Sequence, residues 1–108
     1  MKRGEVWTVS AGDYAGKPRP AVVLQDDRFD RTLSITLCPL TTNPAEGGLF
    51  RLAIEPSDRN GLRSPSRLMV DKITTVPRSK LGRLVGQLSV EDMTRLNRAV
   101  VVFLGLAG

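Results

Sequence analysis

Arg19 stands between two prolines in the stretch KPRPAVVLQ, residues 17–25, and Thr41 closes the short run Pro39-Leu40-Thr41. Pro18 and Pro20 restrict the backbone on both sides of Arg19, so its side chain leaves from a rigid base and loses little entropy when held in one place. Pro39 does the same service ahead of Leu40 and Thr41. A guanidinium is a permanent, planar cation with several donors that can grip phosphate oxygens in pairs, and a threonine hydroxyl can donate one hydrogen bond more. Such a pair suits a phosphodiester. If the diester belongs to RNA, its own 2′-hydroxyl can attack the adjacent phosphorus. The protein then needs neither a nucleophile nor a metal, and stabilising the extra negative charge on pentavalent phosphorus supplies much of the rate. Arginine itself stays protonated and is no base at neutral pH. The plainer reading gives Arg19 a salt bridge at a strand entrance and Thr41 a turn hydrogen bond; spacing alone leaves both readings open.

The chain contains no histidine. Its absence removes Ser-His-Asp and Cys-His sites and any ribonuclease mechanism built on paired histidines. Cys38 is the only cysteine, so neither an internal disulfide nor a thiolate zinc site can form, which suits a reducing compartment. Asp26, Asp27 and Asp30 lie close together but lack the spacing and glycine of a calcium loop, and they read as a polar turn. No metal or other cofactor is expected.

Seven segments must position these residues. Glu5 to Val9 alternates polar and apolar, as a half-buried strand does. Pro20 to Leu24 is almost wholly apolar and β-branched, fitting a strand covered on both faces. Leu33 to Leu37 alternates again and ends at Cys38-Pro39. Leu49 to Ile54 predicts a fourth strand, and Ser66–Val70 and Ile73–Val76 predict two more, short or joined in a bend. The connecting stretches SAGDYAGKP, TTNPAEGG and EPSDRNGLRSP are rich in turn formers. From Ser89 the period changes. Ser-Val-Glu-Asp reads as an N-cap with an acidic residue three places on, and Val90, Met93, Leu96, Val100 and Leu104 fall on one helical face, expected to be core. Strands followed by one helix, without βαβ alternation, disfavour a parallel sheet. The expected class is α+β, mainly β: a curved, barrel-like antiparallel sheet with the helix packed against it, in one domain spanning 1–108. If the second and third strands are antiparallel partners, the start of one lies beside the end of the other, and Arg19 and Thr41 share a rim.

The formal charge of +5 over 108 residues gives the surface a positive field that concentrates polyanions. Nucleic acid is the first partner this suggests, with solubility alone as the plainer explanation. Five aromatic residues in the whole chain are too few for a platform that stacks several successive bases. The N-terminus reads MKRGEVW, and no apolar run approaches the roughly 20 residues of a membrane span. A soluble, cytoplasmic protein is expected.

Four stretches, RGEVW (Arg3 to Trp7), RPAVVLQ (Arg19 to Gln25), PLTT (Pro39 to Thr42) and SRLMVDKITTV (Ser66 to Val76), stand in the order and spacing of the MazF/PemK toxins of bacterial toxin–antitoxin pairs. The chain resembles that family from Arg3 through its last helix. The resemblance implies a CcdB/PemK-like, SH3-like barrel and an endoribonuclease that cuts single-stranded RNA at a short sequence without metal, leaving a 2′,3′-cyclic phosphate and a 5′-hydroxyl. It also implies a homodimer neutralised by a small MazE-like antitoxin. The family's catalytic arginine matches Arg19 and its threonine or serine matches Thr41. Many members carry a Glu-Gln pair, some a histidine, in the loop before the Arg-Pro motif; here that loop offers Asp13, Tyr14 and Lys17. One branch uses an arginine and an aspartate two residues apart on a later strand. Asp71 matches the aspartate, Met69 stands in the arginine's place and Lys72 replaces a more usual glutamine.

Lys17, Thr42 and Asn43 flank the proposed rim and are candidate RNA contacts, each with a solvated loop role as the alternative. Asp71 is a candidate RNA contact or a structural residue. Gln25 lies at the far end of its strand, away from the rim. Two rival functions share the expected fold: a non-catalytic inhibitor of DNA gyrase of the CcdB type, and a basic barrel that holds RNA without cutting it.

Overall fold

A computed structural model of the chain describes residues 1–10, 17–43 and 51–106. Asp13 and Tyr14, the turn residues 44–48, and Leu49 and Phe50 at the start of the expected fourth strand lie outside the described residues. The elements are β1 (Glu5–Val9), β2 (Arg19–Val23), β3 (Ser34–Thr41), β4 (Arg51–Ile54), β5 (Ser66–Met69), β6 (Thr74–Pro77), β7 (Leu81–Gln87) and the helix α1 (Val90–Phe103). Every pairing is antiparallel, in the order β4-β5-β3-β2-β1-β7, with β6 beside β3. The result is the curved, mainly β architecture with a C-terminal helix that the sequence pattern implies, left open at β4 and β7.

β3 organises the bend. One of its edges pairs with β2 over Leu37–Pro39, while the other pairs first with β6 (Ser34–Leu37) and then with β5 (Leu40–Thr41). Pro39 therefore sits inside the strand rather than ending it, contrary to the expectation of a strand finished by Cys38-Pro39. A proline cannot donate to a ladder, and here it falls where β3 changes partner. The strand runs on to Thr41.

Successive residues of β2 point to opposite faces, and both faces are covered. Val22 joins Val6, Cys38, Leu40 and Leu68 in the core under α1, together with Leu96 and Ala99 of the helix. Ala21 and Val23 join Ile35 and Leu37 in a second cluster on the far face, closed over by Trp7, Val9, Val76 and Leu81. This explains the uninterrupted apolar run of β2.

The helix starts where expected: the Ser89 hydroxyl accepts the Asp92 backbone N–H at 3.1 Å, and Glu91 and Asp92 place negative charge at the positive end of the helix dipole. Its inward stripe is narrower than the spacing suggests. Leu96 and Ala99 are buried and Met93 and Val100 pack beside them, but Val90 and Leu104 are exposed. They lie at the two ends of the stripe, beyond the width of sheet that the helix crosses. No helix among the described residues is long and apolar enough to cross a membrane.

β7 has no counterpart in the sequence reading. Its run LGRLVGQ carries two glycines and no clean alternation, and the structure supplies the reason for both. A Cβ on Gly86 would lie 2.4 Å from the Asn60 carbonyl carbon, and one on Gly82 would lie 2.6 Å from the Thr8 hydroxyl. Close approach at Gly82 and Gly86 shapes this strand, while Leu81 and Val85 pack against the two core clusters.

Candidate functional site

Arg19 is the first residue of β2 and is exposed. On β1 it is paired with Val9. On the other side, the register Ala21 to Pro39, continued by two residues, sets Arg19 opposite Thr41. The alternation places both on the face away from the helix, because Arg19 shares the parity of Ala21 and Val23, and Thr41 that of Leu37 and Pro39. The Arg19 side chain makes no hydrogen bond or ion pair among the described residues. Its charge is available to a ligand.

Thr41 is 6% exposed. Its hydroxyl oxygen accepts the Asn43 backbone N–H at 3.1 Å, a local turn bond that fixes the side chain. The hydroxyl proton has no acceptor among the described residues, so the turn role and a ligand role are compatible in one group. On the opposite edge of β3, Thr41 is paired with Arg67 of β5, an exposed arginine flanked by the buried Ser66 and Leu68. Arg67 lies inside the SRLMVDKITTV motif but has no counterpart among the residues that the motif marks for chemistry. Strand alternation in Ser66–Met69 was the signal that could have found it.

The remaining candidates are distributed unevenly. Lys17 is exposed immediately before Pro18. Thr42 is exposed and lines a hollow of about 230 Å³ on the helix-side face, with Arg63 and Arg83 at its edge. Asn43 is exposed and takes part through its backbone bond to Thr41. Asp71 lies apart from this group, in a single turn of 3-10 helix, Val70–Lys72. Its carboxylate accepts a hydrogen bond from Arg51 Nη2 at 3.3 Å and forms an ion pair with Nε at 3.1 Å. The Arg51 side chain is 6% exposed and Asp71 33%, so the pair is partly desolvated. No three His, Cys, Asp or Glu side chains converge among the described residues.

Two hollows flank the rim, and Pro20 lines both. The one on the far face, about 270 Å³, has Ala21, Leu37 and Val76 in its walls and Arg19 and Lys80 as its charged groups. Neither hollow is lined by a carboxylate among the described residues. Lys80 is fixed through its backbone, whose carbonyl accepts the Ser10 N–H at 2.9 Å. The rim is thus cationic on both sides, with an apolar floor on one of them: charge for a sugar-phosphate chain and an apolar surface for a base.

Other marked residues hold the scaffold. The Arg3 guanidinium donates to the Leu24 carbonyl and to the Asn97 side-chain oxygen, and its backbone N–H donates to Asp27 at 2.7 Å. It ties the start of β1 to the end of β2 and to α1. Gln25 accepts the Thr36 N–H at 2.9 Å and donates to the Phe29 carbonyl at 2.6 Å, which agrees with its expected place away from the rim. Cys38 is fully buried in the core, and burial pushes its thiol up to about 12. No thiolate forms there at neutral pH.

The family described as PemK-like, MazF-like toxin of type II toxin-antitoxin system matches residues 2–104. A probable endoribonuclease MazF from Mycolicibacterium smegmatis is 52% identical over 109 residues, covering 100% of each chain. Endoribonuclease MazF9 from Mycobacterium tuberculosis is 29% identical with 98% of each chain covered. Among solved structures, an endoribonuclease from Mycobacterial species superposes with a TM-score of 0.78 at 24% identity, over 100% of this chain and 94% of the other. An endoribonuclease in complex with its cognate antitoxin, also from Mycobacterial species, gives 0.76 at 24%, over 97% and 93%. These two likenesses establish the fold.

Proposed function

This chain belongs to the PemK-like, MazF-like toxins of type II toxin–antitoxin systems, and on that premise we propose that the Arg19–Thr41 rim is the active site of its endoribonuclease. The chain works as one domain, as a homodimer in the cytoplasm, on single-stranded RNA, and a MazE-like antitoxin neutralises it. The observation that supports the site is the register that sets Arg19 opposite Thr41, with no partner for the Arg19 side chain and no carboxylate lining either flanking hollow among the described residues.

The chemistry follows from what the rim lacks as much as from what it holds. With no histidine in the chain and a thiol that stays protonated in the core, the nucleophile is the substrate's 2′-hydroxyl. Its oxygen forms the new bond to phosphorus while the bond from phosphorus to O5′ breaks, and the electron pair leaves with O5′. The 2′-oxygen gives up one proton and the 5′-oxygen takes one, so none is consumed. The products are a 2′,3′-cyclic phosphate and a 5′-hydroxyl. Arg19 balances the second negative charge that develops on the phosphoryl oxygens, and Thr41 donates its hydroxyl proton to one of them. Lys17, Thr42 and Asn43 supply contacts to the flanking nucleotides.

A second copy of the chain covers the apolar end of α1, where Val102, Phe103 and Leu104 are exposed next to one another in sequence and Leu106 is exposed just beyond them.

The experiment is incubation of the purified protein with a long mixed-sequence RNA in excess chelator, followed by mapping of the ends. Cuts at a short recurring sequence, with 5′-hydroxyl and cyclic phosphate ends, are expected. A folded protein that cuts nothing and instead traps a topoisomerase is the result that would replace this reading with a gyrase inhibitor. Binding without cutting would replace it with a plain RNA-binding barrel.

A further inference from the structure

Thr41 has an arginine on either side. Arg19 lies opposite it across β2, and Arg67 is its paired residue on β5. Directly paired residues of an antiparallel ladder point to the same face with Cβ atoms about 4.5–5.5 Å apart. The two arginines are two strand spacings apart, about 10 Å between backbones, within reach of one phosphate for side chains of this length. The Arg67 side chain makes no hydrogen bond or ion pair among the described residues, and the residue paired with it on β4 is Ala53. Asp71, in the 3-10 turn that follows β5, is already engaged by Arg51. Two unneutralised guanidinium groups bracketing one hydroxyl repel each other. They become favourable when an anion sits between them.

We propose that Arg67 is a second catalytic cation, touching the scissile phosphate from the β5 side while Arg19 holds it from the β2 side. This rests on the reading of the rim as the site of RNA cleavage. A phosphodiester carries one negative charge in the ground state and close to two when the 2′-oxygen has added. One arginine matches the bound substrate and the pair matches the transition state, so the second cation acts mainly on kcat. Arg67 moves no proton and forms no bond. Its role is to meet the charge that appears on the non-bridging oxygens as the bond from phosphorus to O5′ opens.

The test is single-turnover cleavage of a short RNA by the wild type, Arg19→Lys, Arg67→Gln, Arg67→Lys and the double variant that combines Arg19→Lys with Arg67→Gln. Affinity is measured separately on the same RNA carrying a 2′-deoxy sugar at the cut. Arg67→Gln is expected to lose roughly 10²-fold in rate while keeping affinity within a few-fold, and Arg67→Lys to recover part of that rate. The losses of the pair should fall short of the product of the single losses, because both groups act on one phosphate. Arg67 is exposed, so its variants should melt with the wild type, and circular dichroism checks this. An Arg67→Gln variant that cleaves at the wild-type rate overturns the proposal. So does one whose whole loss is in affinity and multiplies with that of Arg19→Lys, since Arg67 would then hold only a flanking phosphate. A wild type that cuts no RNA is a different failure, that of the underlying reading.

Discussion

Thr41 shows how one hydroxyl can serve two ends. Its oxygen is committed to the Asn43 N–H and its proton is not, so Thr41→Ser should keep much of the cleavage rate while Thr41→Val loses it. The valine variant also leaves the Asn43 N–H without its partner, for a stability cost of about 1 kcal/mol, readable by urea denaturation. Arg19 behaves differently because the fold does not use it. Arg19→Ala should lower the cleavage rate by at least roughly 10²-fold, leave the melting temperature unchanged and weaken RNA binding only slightly. Cys38 gives a pH prediction. Its folded pKa is pushed up to about 12 from a reference of 9.0 by burial. Below pH 9 the thiol is neutral in both folded and unfolded chains and stability is independent of it. Between about 9 and 12 the unfolded thiol ionises and the folded one does not, so stability falls. Denaturation of the wild type against Cys38→Val at pH 8 and pH 10.5 should show the steeper loss in the wild type.

Among the elements, what the sequence disclosed and what it hid have separate physical causes. Strands with one buried face or two are written in alternation or in runs, and β1, β2 and the core of β3 were legible for that reason. So was the N-cap of α1, because a capping serine announces itself locally. β7 was not legible, since its position is set by steric closeness to the loop before β5. That loop is held by Asn60, 3% exposed, which accepts the Ser57 and Leu62 backbone N–H groups at 2.9 and 3.0 Å and donates to the Glu55 carbonyl at 2.9 Å. Gly86 packs against its backbone. Gly86→Ala should therefore cost about 2 kcal/mol, seen as a melting temperature lower by roughly 10 °C. The rim was half legible. The prolines marked Arg19, but Arg67 reaches Thr41 only through the switch of β3 from β6 to β5, a register that no local pattern encodes.

At the scale of the whole molecule, the positive charge and the apolar helix end have different consequences. Each RNA phosphate neutralised releases counterions, and for single strands the slope of log affinity against log salt is about −0.7 per contact. Removing Lys17 or Arg83 by substitution with glutamine should flatten that slope while leaving the rate of the bound complex unchanged. Val102→Glu should shift the chain from dimer to monomer in sedimentation, since a charge there opposes burial of the helix end. The central claim is that a cationic rim cleaves RNA with the substrate's own oxygen. Its most direct test is a pair of RNA oligonucleotides identical except for the 2′-hydroxyl at the cut, incubated with the wild-type protein in excess chelator. The all-ribose strand should be cut to a 2′,3′-cyclic phosphate, and its 2′-deoxy twin should bind with similar affinity and stay intact. Cleavage of the deoxy strand at a comparable rate would contradict the account.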